Sequence, residues 1–286
     1  MEQALRSLLF VPGDDPERIG KAARSAADAV IVDLEDAVAA EAKKEARDAL
    51  GEAADLLRKN GKYAVVRINA DRAVQHWDVL AAVGGNFDAI MVPKVESAAE
   101  MTQISCLIAQ QKRSNRMPSP KLIALIESAR GVISAAKIAE MPRVSALALG
   151  TEDFAQSMGV KPDPGVLDLP VRTLALAANA CGKAAFALPL SIASFRDSDA
   201  TRAAALTAAS YGCHGALCIH PLQVETVNAA FAPPEDDVAE ARAVMTAWMT
   251  AQAEGKAVAV AGNRMVDAPV VAWAERILSR AEQVEN

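Results

Sequence analysis

The chain is poor in aromatic residues, 4% of 286, and rich in alanine, a balance that fits many helices packed closely on a sheet. Its four cysteines, Cys106, Cys181, Cys213 and Cys218, lie in apolar segments without CxxC spacing. That argues against disulfides and structural zinc, and for buried free thiols in a reducing cytoplasm. The three histidines, His76, His214 and His220, show neither HxxxH nor HxH spacing, which again disfavours zinc. No basic stripe exists: the formal net charge is −6 and Lys and Arg are scattered, so nucleic acid is not an expected partner. No apolar run approaches a membrane span, and "MEQALRSLLFVPGDD" reaches Pro12 and two acids too soon for a signal peptide. The expectation is a cytoplasmic protein. GxGxxG, Walker and GxSxG sequences are all missing, which removes the usual phosphate fingerprints and the nucleophile elbow.

What is present is a rhythm. Apolar runs recur at 7–12, 29–35, 63–69, 89–95, 121–127, 144–150, 184–190 and 215–221. Between them lie amphipathic segments such as "PERIGKAARSAA", "AAEAKKEARDALGEAADLLRKN" and "TRAAALTAASYG". The runs are continuously apolar rather than alternating, as parallel strands covered on both faces require. Eight such units predict a (β/α)8 TIM barrel over residues 1–232. A doubly wound open sheet competes, but it would normally carry the Gly-rich fingerprint after its first strand. Residues 233–286 read as an extension: a helix, a small hairpin at "KAVAVAGNRMVDAP" and a last helix, packing on a neighbouring subunit.

Polar residues cluster where barrel strands end, which is where such folds place their active sites. Asp14 and Asp15 follow the first run, Asp33, Glu35 and Asp36 the second, and Arg67 and Asn69 the third. Lys94 follows the fourth, Glu127 the fifth, Thr151, Glu152 and Asp153 the sixth, and His220 the eighth. Glu127 is the sharpest case, because "KLIALIES" is apolar enough to be buried and a buried carboxylate needs compensation. A plain alternative makes Ser128 a helix N-cap and Glu127 its exposed neighbour. Glu127 and Asp153, from adjacent strands, can share a hard divalent cation such as Mg2+, which takes few protein carboxylates and fills its other positions with water and substrate oxygens. Arg67 offers a planar fork for a substrate carboxylate. Asp33, Glu35 and Asp36 orient Arg67 and water, or bond one another and the backbone.

The stretches "RSLLFVPGDDPERIGKA", "ADAVIVDLEDAVAAEAKKEAR", "VRINA", "DAIMVPKVES", "LIALIESARGV", "LALGTEDFAQSMG", "GALCIHPLQVETVNAAF" and "GNRMVDAP" carry a resemblance that spans nearly the whole chain. It resembles the citrate lyase beta-subunit-like family of malyl-CoA, citramalyl-CoA and citryl-CoA lyases, aldolase barrels of the phosphoenolpyruvate–pyruvate type. The resemblance implies a homotrimer or hexamer that uses Mg2+ to cleave a 3-hydroxyacyl-CoA into acetyl-CoA and a small 2-oxo acid. It makes Glu127 and Asp153 the metal ligands, Arg67 the holder of the oxo acid, and Phe10 and Lys21 contacts to the coenzyme A end. Asp267 of "RMVDAP" becomes the acid/base presented to a neighbour's site; by itself it reads as an N-cap before Pro269. The alternatives are a thioesterase on the same site, a carrier-dependent citrate lyase beta subunit and a non-catalytic metabolite-binding barrel. The seventh unit departs from the family, with Phe186, Ala187 and Leu188 where an Asp is usual.

Overall fold

Apolar runs that need cover on both faces pair with one another edge to edge. The computed structural model describes residues 5–115, 119–255, 258–262 and 264–285. Its main sheet is built from β1 (Ser7–Pro12), β2 (Ala29–Asp33), β3 (Tyr63–Arg67), β4 (Ala89–Val92), β5 (Lys121–Ile126), β6 (Val144–Leu149), β7 (Ala184–Phe186) and β8 (Ala216–Cys218). All neighbours are parallel, in the order β7-β6-β5-β4-β3-β2-β1-β8. The ring closes through a parallel bridge between Phe186 and Gly215, where the His214 N–H donates to the Ala185 carbonyl at 2.8 Å. The result is the expected (β/α)8 barrel.

Among the described residues ten helices surround it: α1 (Pro16–Ala23), α2 (Lys43–Asp48), α3 (Leu50–Lys59), α4 (Arg72–Gly84), α5 (Ala98–Asn115), α6 (Ala129–Ala139), α7 (Thr151–Ser157), α8 (Pro164–Ala180), α9 (Ser198–Ser210) and α10 (Pro221–Phe231). Asp15, Asp71, Ser128, Asp163 and Asp197 cap five of them through side-chain oxygens, satisfying amides that the first turn leaves unpaired. The segment after β2, which reads as one long helix, is two. It begins only at Lys43, because residues 39–42 form a turn and the Lys43 ammonium folds back onto the carbonyls of Leu34 and Glu35 and the Asn69 amide oxygen.

Inside the barrel, Leu8, Ala29, Ile31, Val65, Met91, Ile123, Leu125, Ala148, Phe186 and Leu217 belong to one buried cluster. Side chains on one face of a strand recur every second residue, so these positions define inward stripes. At the N-terminal end, two aspartates lock neighbouring strands. Asp28 takes the backbone N–H of Arg6 and a two-pronged contact from its guanidinium, and Asp88 takes the N–H of Ala64. The thiols of Cys213 and Cys218 are buried as expected, but Cys181 is half-buried and Cys106 lies on the exposed side of α5, so burial holds for only two of the four free cysteines.

The chain divides into two compact units, the barrel from Leu5 to Phe231 and a second unit from Ala232. The second holds α11 (Glu235–Ala253), an antiparallel hairpin of β9 (Ala259–Ala261) and β10 (Arg264–Val266), and α12 (Ala268–Glu285). Val244, Val266, Val271 and Ala274 are among its buried residues. Gly262 turns the hairpin with a φ of +57°, a conformation that glycine adopts without a Cβ clash. Among the described residues no helix is long and apolar enough to cross a membrane.

Closure of the ring rests on a missing side chain. A Cβ at Gly215 would lie 2.3 Å from the Arg6 carbonyl oxygen and 2.6 Å from that of Leu5. Both are backbone atoms, so the seam between β1 and β8 would have to open. Gly215→Ala should destabilise the protein by about 1–3 kcal/mol, read as a lower urea midpoint. An unchanged midpoint would show that the seam is not tightly set.

Candidate active site

The inward stripes run apolar until their last position, and there they turn polar. Ile31 is followed two residues on by Asp33, Val65 by Arg67 and Leu125 by Glu127. Every strand but β1 stops earlier than its apolar run, so the top layer of the barrel interior is delivered by strand ends and rim loops. It lines a cavity of about 400 Å³ whose walls include Phe10, Asp33, Arg67, Glu127, Asp153 and Ile192.

Arg67 is the hub. Its Nε and Nη2 donate to the two oxygens of Asp33 at 2.7 and 2.6 Å, and its Nη1 donates to Asp36 at 3.1 Å. Glu35 lies 3.0 Å from the same Nη1, and the Phe10 ring sits 5.0 Å from the guanidinium carbon. Burial opposes the charge on Arg67, but the bonds from Asp33 and the charges of Glu35 and Asp36 outweigh it and hold it firmly protonated. Asp33 is anchored in turn by the N–H groups of Glu35 and Ala37. Glu35 is buried without a well-aligned hydrogen bond and is held by charge, between Arg67 and the Lys94 ammonium at 3.3 Å. Burial pushes its carboxyl above the ordinary range, against the pull of Arg67.

Behind Arg67 the end of β3 is pinned. Asn69 donates its backbone and side-chain N–H groups to Asp78 at 2.9 and 2.7 Å, and Arg47 pairs with the other Asp78 oxygen at 2.7 Å. Asp78 is fully buried, so losing either partner would strand its charge.

Ser128 takes the capping role of the plain alternative, but Glu127 is not the exposed neighbour that reading makes it. Ser128 is the N-cap of α6, accepting from the Gly131 N–H, yet Glu127 is 5% exposed. One carboxylate oxygen accepts the Lys94 backbone N–H at 2.7 Å. That N–H points inward because Lys94 holds a φ of +53°, a left-handed conformation that costs a lysine on the order of 1–3 kcal/mol. The other oxygen is packed against Gly150, where a Cβ would lie 2.8 Å from it and 2.7 Å from Cγ. Burial, with the nearby charges of Glu35 and Asp153, raises the Glu127 carboxyl to about 8 despite the Lys94 bond.

Asp153, on the first turn of α7, shares with Glu127 the wall of the first cavity and of a second one, about 420 Å³, reached by Lys94 and Gln156. The pair thus stands between two solvent spaces. Among the described residues no cluster of three or more His, Cys, Asp or Glu side chains forms a closed metal cage. Two carboxylates, one of them inclined to keep a proton until a cation replaces it, instead suit an ion that keeps several water or ligand oxygens, as Mg2+ does.

The other anticipated residues fall elsewhere. Lys21 lies on the exposed side of α1, paired with Glu17 at 2.7 Å, and does not line either cavity. Phe10 packs on Arg67 inside the first cavity. Asp267, in the second unit, caps α12 through its bonds from Val270 and Val271. His220 stacks on Phe195 and accepts from the Leu222 N–H. The divergent seventh unit contributes the apolar Ile192, fixed by Thr151 and Gln223. Two contributions were not expected from the sequence: the Lys94 main chain and Gly150. Glycine directly after an apolar strand is the only signal for the second, and the first leaves none.

The model of the HpcH/HpaI aldolase/citrate lyase family matches residues 6–221. A citrate lyase subunit beta-like protein of Deinococcus radiodurans is 39% identical, with 96% of each chain covered. From Cereibacter sphaeroides, a (3S)-malyl-CoA thioesterase is 33% identical and an L-malyl-CoA/beta-methylmalyl-CoA lyase 35% identical, each covering 98% of this chain and 95% of the relative. The crystal structure of CitE from Mycobacterium tuberculosis in complex with magnesium, acetoacetate and coenzyme A superimposes with a TM-score of 0.75 at 33% identity, over 99% of this chain and 100% of that one. With its family model matched from the first strand to the eighth and its relatives aligned nearly end to end, the chain belongs to the HpcH/HpaI aldolase/citrate lyase family of lyase-type enzymes.

Proposed function

We propose that the protein is a Mg2+-dependent carbon–carbon lyase that cleaves a 3-hydroxyacyl-CoA of the citramalyl, malyl or citryl type into acetyl-CoA and a 2-oxo acid. The observation that carries this reading is the buried Glu127 facing Asp153 beside Arg67 at the mouth of the barrel. Glu127 and Asp153 would hold the ion, and a relative's complex with magnesium, acetoacetate and coenzyme A supports the assignment. Bound there, the ion supplies a Lewis acid that polarises substrate oxygens.

The chain's own groups do the rest. Arg67 donates N–H bonds to the carboxylate of the 2-oxo acid portion and stabilises charge gathering on its oxygens. As the substrate hydroxyl passes its proton to a water molecule in the cavity, the bond between the hydroxyl-bearing carbon and the thioester α-carbon breaks. Its electron pair passes to the acetyl-CoA enolate, and the hydroxyl oxygen becomes the oxo group. Asp267, supplied by a neighbouring copy in a trimer or hexamer, returns a proton to the enolate carbon, or removes it in condensation. Phe10 and Lys21 are assigned to the coenzyme A side on the family resemblance. A second reading is a thioesterase in which water attacks the same thioester; the malyl-CoA thioesterase relative favours keeping it.

Racemic citramalyl-CoA, malyl-CoA and citryl-CoA, incubated with Mg2+, should yield pyruvate, glyoxylate or oxaloacetate from at least one. Glu127→Gln and Asp153→Asn should each lower that rate at least about 100-fold, the scale of losing transition-state charge stabilisation. Free CoA without 2-oxo acid would replace the lyase by the thioesterase.

Metal binding must release the proton that Glu127 carries below about 8. Mg2+ affinity measured by calorimetry should therefore fall by about tenfold per pH unit below that value. The folded value lies above the ordinary 4.5, so without metal this group's contribution to stability is full below 4.5 and is lost as pH rises through about 8. The rise in melting temperature on adding Mg2+ should accordingly be larger at pH 9 than at pH 6. Equal shifts would mean that Glu127 is not a ligand.

Gly150→Ala places a methyl group against the Glu127 carboxylate and should weaken Mg2+ binding at least about tenfold, because a displaced ligand loses its geometry. Unaltered calorimetric affinity would count against the tight fit.

A further inference from the structure

Three carboxylates surround Arg67, and they are not equivalent. Asp33 is 2% exposed and is bound on both oxygens by backbone N–H groups as well as by the guanidinium. Glu35, 6% exposed, is wedged between two cations. Neither can leave without stranding a buried charge. Asp36 is 57% exposed, and its hydrogen bond to Arg67 Nη1 spans 3.1 Å, the longest of the guanidinium's three. It also stands on the wall of the first cavity.

A guanidinium offers a carboxylate two bidentate edges, and Asp33 occupies the one formed by Nε and Nη2. The remaining edge, Nη1 with the second hydrogen of Nη2, is the one that a ligand in the cavity could use, and Asp36 accepts from that same Nη1. Glu35 does not fill that position, because its oxygens approach Nη1 without a well-aligned hydrogen bond. Asp36 is also held next to a like charge, Glu35, so its stay is opposed as well as favoured.

Resting on the reading of Arg67 as the oxo-acid anchor, we infer that Asp36 is an internal stand-in for the substrate's carboxylate, which must be displaced from Arg67 Nη1 when the 2-oxo acid binds. While the cavity is empty, Asp36 keeps the outer edge of Arg67 hydrogen-bonded and its charge balanced. When ligand arrives, Asp36 rotates into solvent, a small loss because its carboxylate already stands largely in water. It thereby sets affinity for the oxo acid by competition for Arg67.

The test is calorimetric binding of pyruvate, glyoxylate and oxaloacetate to Mg2+-saturated wild type, Asp36→Asn and Asp36→Ala. Removing the competitor should tighten the oxo acid that binds by about two- to fivefold, the fold-change equivalent of an exposed ion pair. Glu152→Gln provides the comparison for simple loss of negative charge, since Glu152 lines the same cavity but bonds Ser191 and not Arg67. A smaller gain there than at Asp36 supports displacement, and an equal gain overturns it in favour of field alone. Unchanged or weaker binding in both Asp36 variants would show that Asp36 holds Arg67 for the ligand, and the stand-in role would be wrong. If no oxo acid binds wild type or any variant, the reading of the site falls first and this proposal with it.

Discussion

Keeping Asp33, Glu35 and Glu127 out of water within reach of one guanidinium is the constraint on which the mouth of the barrel depends. A buried carboxylate is expensive unless it is paired or hydrogen-bonded. Here a single Arg67 serves two of the three, and a lysine main-chain amide serves the third. The arrangement is left with more negative than positive charge. That surplus makes it receptive to a cation, and burial, with the charges of Glu35 and Asp153 adding to it, is why Glu127 holds a proton so readily when none is bound.

The supports follow from that need. The Arg67 end of β3 cannot wander, because Asn69, Asp78 and Arg47 form a buried chain behind it and Lys43 ties the loop of Glu35 to Asn69. Gly150 supplies close approach in place of a side chain, and Lys94 tolerates a strained backbone to aim one N–H. The opposite end of the barrel is fastened separately by Asp28 and Asp88. The candidate-site charges therefore gather at the C-terminal ends of the strands, where the fold usually places its active site.

Much of this was legible in the sequence, for physical reasons. Continuous apolar runs at regular spacing force parallel strands covered on both faces, so the barrel could be read directly. Asp33, Arg67 and Glu127 could be read because each breaks an apolar stripe at its last inward position. What remained hidden depends on distances and dihedral angles. Nothing in "MVPKVES" says that the lysine is left-handed. Nothing in "DLEDAV" says that Asp33 is sealed while Asp36, three residues on, is 57% exposed. The same holds for Cys106, whose apolar neighbours imply burial until α5 turns it outward. The acid/base role given to Asp267 rests on family resemblance alone, since its local geometry is that of an ordinary helix cap.

Lys94 speaks to two partners through two different parts of itself. Its amide reaches Glu127 and its ammonium reaches Glu35, and only the second depends on which side chain it carries. Glycine or asparagine, at ease in the left-handed region, would keep the first link and drop the second; a β-branched residue would strain the first as well. One position thus carries two independent wires into the site, and natural variation there can cut one while leaving the other live.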